Sequence, residues 1–112
     1  MIVVTTPTVS GTEISEVLGL VRGSSIRSKH AGKDIIAAMR NFAGGEIYEY
    51  TKMLAQAREQ AVDRMIEEAQ ILDADAIVAV RFQTSMVMRG AAEMLCYGTA
   101  IRLVQPATTP GP

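Results

Sequence analysis

The side chains in this 112-residue chain that suit a soft metal ion are one histidine, one cysteine and seven methionines. A structural zinc site needs four Cys or His ligands, and a catalytic one needs at least three protein ligands. His30 and Cys96 cannot supply either set within one chain. His30 and Cys96 remain the candidate ligands for a soft or borderline metal ion. The site would form when copies of the chain assemble, because one Cys96 from each chain would then contribute to a ring of cysteines.

Two short motifs near the C-terminus carry most of the sulfur. Met86-x-Met88 and Met94-x-Cys96 look like the thioether and thiolate ligands that select Cu(I). The competing interpretation is packing, because methionine fills irregular gaps in cores and interfaces. The strand register predicted below favours packing, since it places Met86 and Met88 on the core face and Met94 and Cys96 on the opposite face.

Charged residues offer further candidates. His30 lies in a polar loop with Lys29 and Lys33, before a predicted helix. It is either a solvated loop histidine or a contact for an anion near the helix N-terminus. The glycine pattern there is not a Walker motif, so nucleotide binding has little support. Nucleophilic catalysis has none, because the Ser24-Ser25 pair has no histidine or acid at a recognisable spacing. We therefore assign no catalytic residue.

Arg81 and Arg102 lie near the middle of predicted strands, where a buried unpaired charge is costly. Either a salt bridge between subunits, for which Glu16 or Glu93 could be the partner, or a solvated face is expected, and a ligand contact in a central ring cavity is the alternative. Acidic residues also repeat along the exposed face of the long predicted helix. They lie on one convex surface, so any hard-cation site there would be weak. These acidic residues are Glu59, Asp63 and Glu67.

The elements that must position these residues follow from hydrophobic periodicity. The stretch 46–73 repeats apolar residues at three and four positions, which predicts a long amphipathic helix. A shorter stripe predicts a helix over 33–42, ended by two glycines. Strands are predicted at 2–5, 14–27, 76–88 and 93–104. This order indicates an α+β fold in which the long helix packs on a small, three-stranded antiparallel sheet.

The last two strands predict their own register. Pairing Val80 with Ile101 and Met86 with Leu95 puts their apolar residues on one face and leaves Gly90-Ala91 as the hairpin loop. A one-residue slip would send the two apolar sets to opposite faces. The sheet would keep two open edges and a second face that is only partly polar. Both are liabilities for a monomer, so a homo-oligomer is expected.

Composition limits the class of protein. The length fits one domain, which we place at residues 1–104, with 105–112 as a flexible, proline-rich tail. The net charge of −1 provides no basic field for nucleic acid. No apolar run approaches the ~20 residues of a membrane helix. The single cysteine suits a reducing cytoplasm. The expected partner is therefore another copy of the chain, with neither nucleic acid nor membrane.

Four motifs in order resemble the YbjQ-like family, which is labelled for heavy-metal binding and has no known function. Residues 19–23 resemble its Gly-x-Val-x-Gly stretch, and 98–101 resemble its closing Gly-Thr-Ala-Val. Its central segment is matched by 44–61. Its helix-to-strand junction is matched by 69–80, except that Asp73 and Ala79 stand where glycine is usual. The resemblance spans about residues 2–104.

The resemblance implies a dodecin-like subunit that forms a ring, most simply a homopentamer in the bacterial cytoplasm. It supplies no catalytic residue. Together with the residues, it predicts a small homo-oligomeric protein that binds heavy metal through sites formed on assembly. The alternative is a structural or small-molecule-binding ring without metal, which dodecin-like architecture suggests only by analogy.

Overall fold

The computed structural model describes residues 1–28, 44–88 and 91–104. Four strands and one helix lie in these residues: β1 (Ile2–Val3), β2 (Ile14–Ser28), α1 (Gly44–Ile71), β3 (Ala76–Met88) and β4 (Ala91–Leu103). The predicted α+β fold with a long helix is confirmed. The predicted helix over 33–42 and the predicted tail over 105–112 lie outside the described residues.

The strands form one four-stranded sheet in the order β1-β3-β4-β2. β4 is antiparallel to both of its neighbours, as predicted. β1 joins the other side of β3 in parallel, with Ile2 opposite Ala76. The sheet is therefore mixed and four-stranded, and the prediction of a purely antiparallel, three-stranded sheet was wrong. The short β1 is also the outermost strand on that side.

α1 packs on β2 more closely than on any other strand. Its buried face is a stripe of small residues around Met65. A Cβ built at Gly23 of β2 would overlap the carbonyl oxygen of Ala61 and the amide nitrogen of Met65. Only glycine allows this approach of helix backbone to strand. The alanines of the stripe, which let the two backbones meet, are Ala57, Ala61 and Ala69.

The predicted β3–β4 register was wrong: Ala76, rather than Val80, pairs with Ile101, and a bulge then shifts the pairing again. Phe82 pairs with Cys96 and Thr84 with Met94, whereas Phe82 was expected opposite Thr99. The shift arises between Val78 and Arg81, where Ala79 takes a φ of 54°. A bulge adds a residue to one strand and changes which side chains share a face.

The new register changes which face carries the sulfur. Met94 and Cys96 face the helix and belong to the core, although they were expected on the outer face. Leu95 lies between them on β4 and therefore on the opposite face, because successive side chains of a strand alternate. At the hairpin, Met88 pairs with Ala91, so Ala91 begins β4 rather than lying in the turn.

Within residues 1–28, 44–88 and 91–104, the second face of the sheet is covered at one end only. There Val4 and Val9, which follow β1, pack against a small cluster of Ala76, Val78 and Ile101. The outer part of the sheet keeps large apolar side chains in solvent, on one face or the other. These are Val17, Leu20, Ile26, Phe82 and Met86.

Candidate metal site

The centre of the helix–sheet interface holds a pair of sulfur atoms. Cys96 Sγ lies 3.5 Å from Met65 Sδ, and its thiol donates a weak hydrogen bond to the thioether. Both residues are 0% exposed. β4 contributes Cys96, because alternate residues of a strand face the same side. α1 contributes Met65, because it lies in the middle of the small-residue stripe.

A third sulfur lies on the same face of the sheet. Met94 is two residues before Cys96 on β4 and is also buried. Its Sδ accepts a 3.5 Å hydrogen bond from Thr84 Oγ1, which lies opposite it on β3. Met86 continues this face of β3 but is 64% exposed. Met86, Met94 and Cys96, which were predicted to lie on opposite faces, therefore share one face.

The electrostatics of the pair favour neutral sulfur. Burial raises the pKa of the Cys96 thiol above its ordinary value of 9.0. Among the described residues there is no group of three or more His, Cys, Asp or Glu side chains that could hold a metal ion. The donors that do meet are one thiol and the thioethers, which are soft ligands of the type that binds Cu(I).

The spacing of the pair fits one soft ion. Two sulfurs each ~2.3 Å from a tetrahedral metal lie about 3.8 Å apart, and the observed separation is 3.5 Å. Cys96 and Met65 would hold the ion, with Met94 beside them on β4. The enclosure of Cys96 beneath its own helix removes the expected ring of Cys96 residues between subunits. His30, the other predicted ligand, lies outside the described residues.

The two strand arginines have partners within the subunit rather than Glu16 or Glu93. Arg81 donates from Nη1 to the carbonyl oxygens of Thr5, at 2.9 Å, and of its neighbour Val80. Arg102 forms an exposed ion pair with Asp73, with Nη2 and Oδ2 3.9 Å apart. Both arginines therefore link strands of the sheet to the segments next to them, and neither contacts the sulfur pair.

A charged cleft that the sequence analysis missed lies at the end of the sheet. It has a volume of about 610 Å³ and includes Glu16, Asp75 and Arg102 in its lining. Asp75 Oδ2 accepts a 2.9 Å hydrogen bond from the backbone N–H of Leu103, and Asp73 is paired with Arg102. Asp73 and Asp75 therefore already have partners. The sequence feature that could have indicated this cleft is the pair Asp73 and Asp75, which closely follow the helix.

The acidic helix face is exposed, as predicted. Glu59, Asp63 and Glu67 all lie on the solvent side of α1. A shallow depression there is also lined by Lys52 and Gln60. Mixed charge on a convex surface does not surround an ion, so this face holds no candidate cation site.

Comparison with known proteins agrees with the motifs. A family model of the YbjQ family, described as "Putative heavy-metal-binding", matches residues 1–104. The chain belongs to the YbjQ family. A UPF0145 protein of the archaeon Methanosarcina acetivorans is 56% identical over 104 residues, covering 93% of this chain and 98% of that protein. A UPF0145 protein of Thermus thermophilus is 53% identical over 107 residues, with coverages of 96% and 93%.

The YbjQ fold is also found in a solved structure. A protein of unknown function from Pediococcus pentosaceus, assigned to the DUF74 family, superposes with a TM-score of 0.66. The two chains are 20% identical, and the match covers 93% of this chain and 98% of that one. YbjQ relatives occur in archaea as well as bacteria, so membership does not support the expected bacterial source. No helix of the described residues is long and apolar enough to span a membrane.

Proposed function

We propose that this YbjQ protein is a cytoplasmic homo-oligomer, a pentamer as the resemblance implies, and that each subunit binds one soft metal ion. Cys96 is the anchoring ligand and Met65 the second. The observation that carries the proposal is the 3.5 Å separation of Cys96 Sγ and Met65 Sδ. Thiolate and thioether ligands favour a soft ion such as Cu(I) over magnesium or calcium.

The chemistry of the pair sets a condition on binding. A cysteine must lose its thiol proton to bind a metal ion, so binding releases the proton of Cys96. Burial opposes that release, because it raises the pKa of the thiol. Met65 cannot provide charge and offers only a polarisable lone pair. The ion itself therefore supplies the positive charge that stabilises the thiolate.

Exposed apolar surface supports the assembly part of the proposal. Leu20 and Ile26 on β2 are 62% and 60% exposed, and Phe82 on β3 is 47% exposed. Patches of this kind commonly mark contacts between proteins. Homo-oligomers with closed symmetry are the commonest soluble assemblies.

The alternative is the same oligomer without metal, acting as a structural or small-molecule-binding ring. One observation favours it: Cys96 and Met65 are fully enclosed, and no open path to them is needed if the sulfurs only pack. Methionine and buried cysteine both serve as core residues elsewhere. The experiment below separates the two.

The test is a Cu(I) titration of reduced protein against a colorimetric Cu(I) chelator. Wild-type protein is expected to bind one Cu(I) per chain. Cys96→Ala should abolish binding, and Met65→Leu, which conserves volume, should weaken it about tenfold. Met53→Leu is the matched control, because Met53 is equally part of the buried face but lies 12 residues, or about 18 Å, along the helix. Absence of Cu(I) binding by the wild type would favour the metal-free alternative, and equal binding by wild type and Cys96→Ala would place the ion away from Cys96.

A further inference from the structure

The outer edge of β2 is bonded to side chains of its own helix. Arg64 Nη1 donates a 2.5 Å hydrogen bond to the carbonyl oxygen of Ser24. The backbone N–H of Arg22 donates to Glu68 Oε1 at 3.3 Å. Arg64 and Glu68 are four residues apart and so lie on one side of α1. Their contacts are to backbone groups that a neighbouring strand would otherwise bond.

These contacts identify which groups of β2 point outward. Both polar backbone groups of a strand residue point to the same edge, and successive residues alternate between edges. Arg22 and Ser24 therefore direct their N–H and C=O groups away from β4, and so do Leu20 and Ile26. The edge offers four donors and four acceptors over seven residues. Two of these eight groups are bonded by Arg64 and Glu68.

The opposite side of the sheet has a second edge. β1 pairs with β3 only at Ala76 and Ile77. The next outward groups, the N–H groups of Ala79 and Val80, bond the carbonyls of Thr6 and Val4. Beyond them, alternation directs the backbone of Phe82, Thr84 and Met86 outward. Among the described residues, no strand pairs with this edge.

We propose that subunits join head to tail, with the outer β3 edge of one copy pairing with the outer β2 edge of the next. Arg64 and Glu68 occupy the β2 edge in the free subunit and leave it when the neighbouring strand arrives. The inference rests on the proposed homo-oligomer and adds the interface between its subunits, which we call the head-to-tail joint. Two different edges on one chain give a heterologous contact, which closes into a ring when the rotation allows.

The joint also explains the exposed apolar side chains beside each edge. Leu20 and Ile26 flank the β2 edge, and Phe82 and Met86 flank the β3 edge. Pairing of the edges would bury these side chains against the next subunit. When a strand adds to a sheet edge, main-chain hydrogen bonds give affinity and the side chains beside the edge give specificity.

A complementation experiment tests the head-to-tail joint. Ser24→Pro removes an outward N–H from β2, and Thr84→Pro removes one from β3. Neither proline disturbs the ladder with β4, because both residues point outward, and edge strands tolerate proline. Each variant alone should be monomeric by native mass spectrometry. An equimolar mixture should form 1:1 dimers, because one intact β2 edge and one intact β3 edge remain. Ser24→Ala and Thr84→Ala are the matched controls and should assemble like wild type.

The other outcomes overturn the inference in distinct ways. Assembly by Ser24→Pro but not by Thr84→Pro, or the reverse, would indicate a two-fold joint between identical edges. Assembly by both variants would place the interface elsewhere and leave the proposed homo-oligomer standing. A monomeric wild-type protein would instead overturn the homo-oligomer itself. Circular dichroism checks that each proline variant is folded.

A second pair of variants tests Arg64 and Glu68 without altering either strand. Arg64→Ala and Glu68→Ala each free one edge group for the neighbour, so the concentration of half-dissociation should fall about threefold to tenfold. Glu59→Ala, on the exposed helix face, is the control and should leave it unchanged. An unchanged or higher value for Arg64→Ala and Glu68→Ala would show that these side chains do not compete with the partner strand.

Discussion

The sheet has a covered region and an open region, and their residues differ in kind. Under α1, where β2 meets β4, the side chains are small or sulfur-containing, and Gly23 contacts the helix backbone. Along outer β3 the apolar side chains are large, and Phe82 and Met86 lie in solvent. Small residues let one helix lie close enough to bury the facing side chains of two strands. Large apolar side chains that no described residue covers fit the proposed contact with another subunit.

Gly23→Val should have the largest effect on the covered region. The new side chain would overlap backbone atoms of Ala61 and Met65, which cannot move without displacing the helix. We expect the free energy of unfolding to fall by about 4 kcal/mol, at the upper end of overpacking effects. Urea unfolding measures it. Ser24→Val, at the next and exposed position, is the control and should change stability by less than about 0.5 kcal/mol.

Met65→Ala should destabilise the covered region by about 3 kcal/mol. Met65 is fully buried, and its truncation removes burial and leaves a cavity. Ile71→Ala on the same helix is the matched apolar control, because Ile71 is 83% exposed. Chemical denaturation of both variants should separate them by at least about 2 kcal/mol. Similar losses would mean that the helix does not pack on the sheet through this stripe.

Phe82→Ser should act on the open region. We expect the concentration of half-dissociation to rise about tenfold, equivalent to about 1.4 kcal/mol, while subunit stability changes little. Analytical ultracentrifugation over a concentration series gives the first quantity. A loss of subunit stability with unchanged assembly would place Phe82 in a core rather than at a contact.

Ala79→Gly should stabilise the fold by about 1 kcal/mol. Ala79 has a φ of 54° at the bulge in β3, a conformation that costs non-glycine residues about 1–2 kcal/mol. Thermal or urea unfolding measures the gain. Val78→Gly, beside it, is the control and should destabilise, because Val78 is buried. A destabilised Ala79→Gly variant would show that the bulge does not need this conformation.

The pH dependence of stability should be the smallest effect, absent at pH 7. The pKa of Cys96 is raised by burial in the folded chain. The unfolded chain therefore loses its thiol proton first as pH rises through about 9, and stability falls from there upward. Unfolding of wild type and Cys96→Ala between pH 7 and 10.5 should show this fall only in wild type. If stability falls equally with pH in both proteins, ionisation of Cys96 does not cause the fall.

The sequence predicted the long helix and all three long strands, because periodicities of 3.6 and 2 residues are local signals. It did not predict the β3–β4 register, because hydrophobic alternation records neither the position of the hairpin turn nor the bulge at Ala79. That error placed Cys96 on the wrong face and hid its contact with Met65. One signal was present: the resemblance has glycine at 73 and 79, and both residues adopt positive φ.

The edge contacts of Arg64 and Glu68 were beyond sequence reasoning. They depend on how far the helix lies over β2, which Gly23 determines through a contact between backbones. The parallel pairing of β1 was also hidden, because a two-residue strand carries no periodicity. Contacts between residues that are distant in sequence, such as those of Arg64 and Glu68 with β2, therefore cannot be predicted without the structure.

The most direct test of the account is a native mass spectrum of the reduced, untagged oligomer after one equivalent of Cu(I) per chain. The account predicts a multimer that carries one copper per subunit, and a Cys96→Ala multimer of the same size that carries none. A multimer without copper, or equal copper on both proteins, would contradict the assignment of the Cys96–Met65 pair as a soft-metal site.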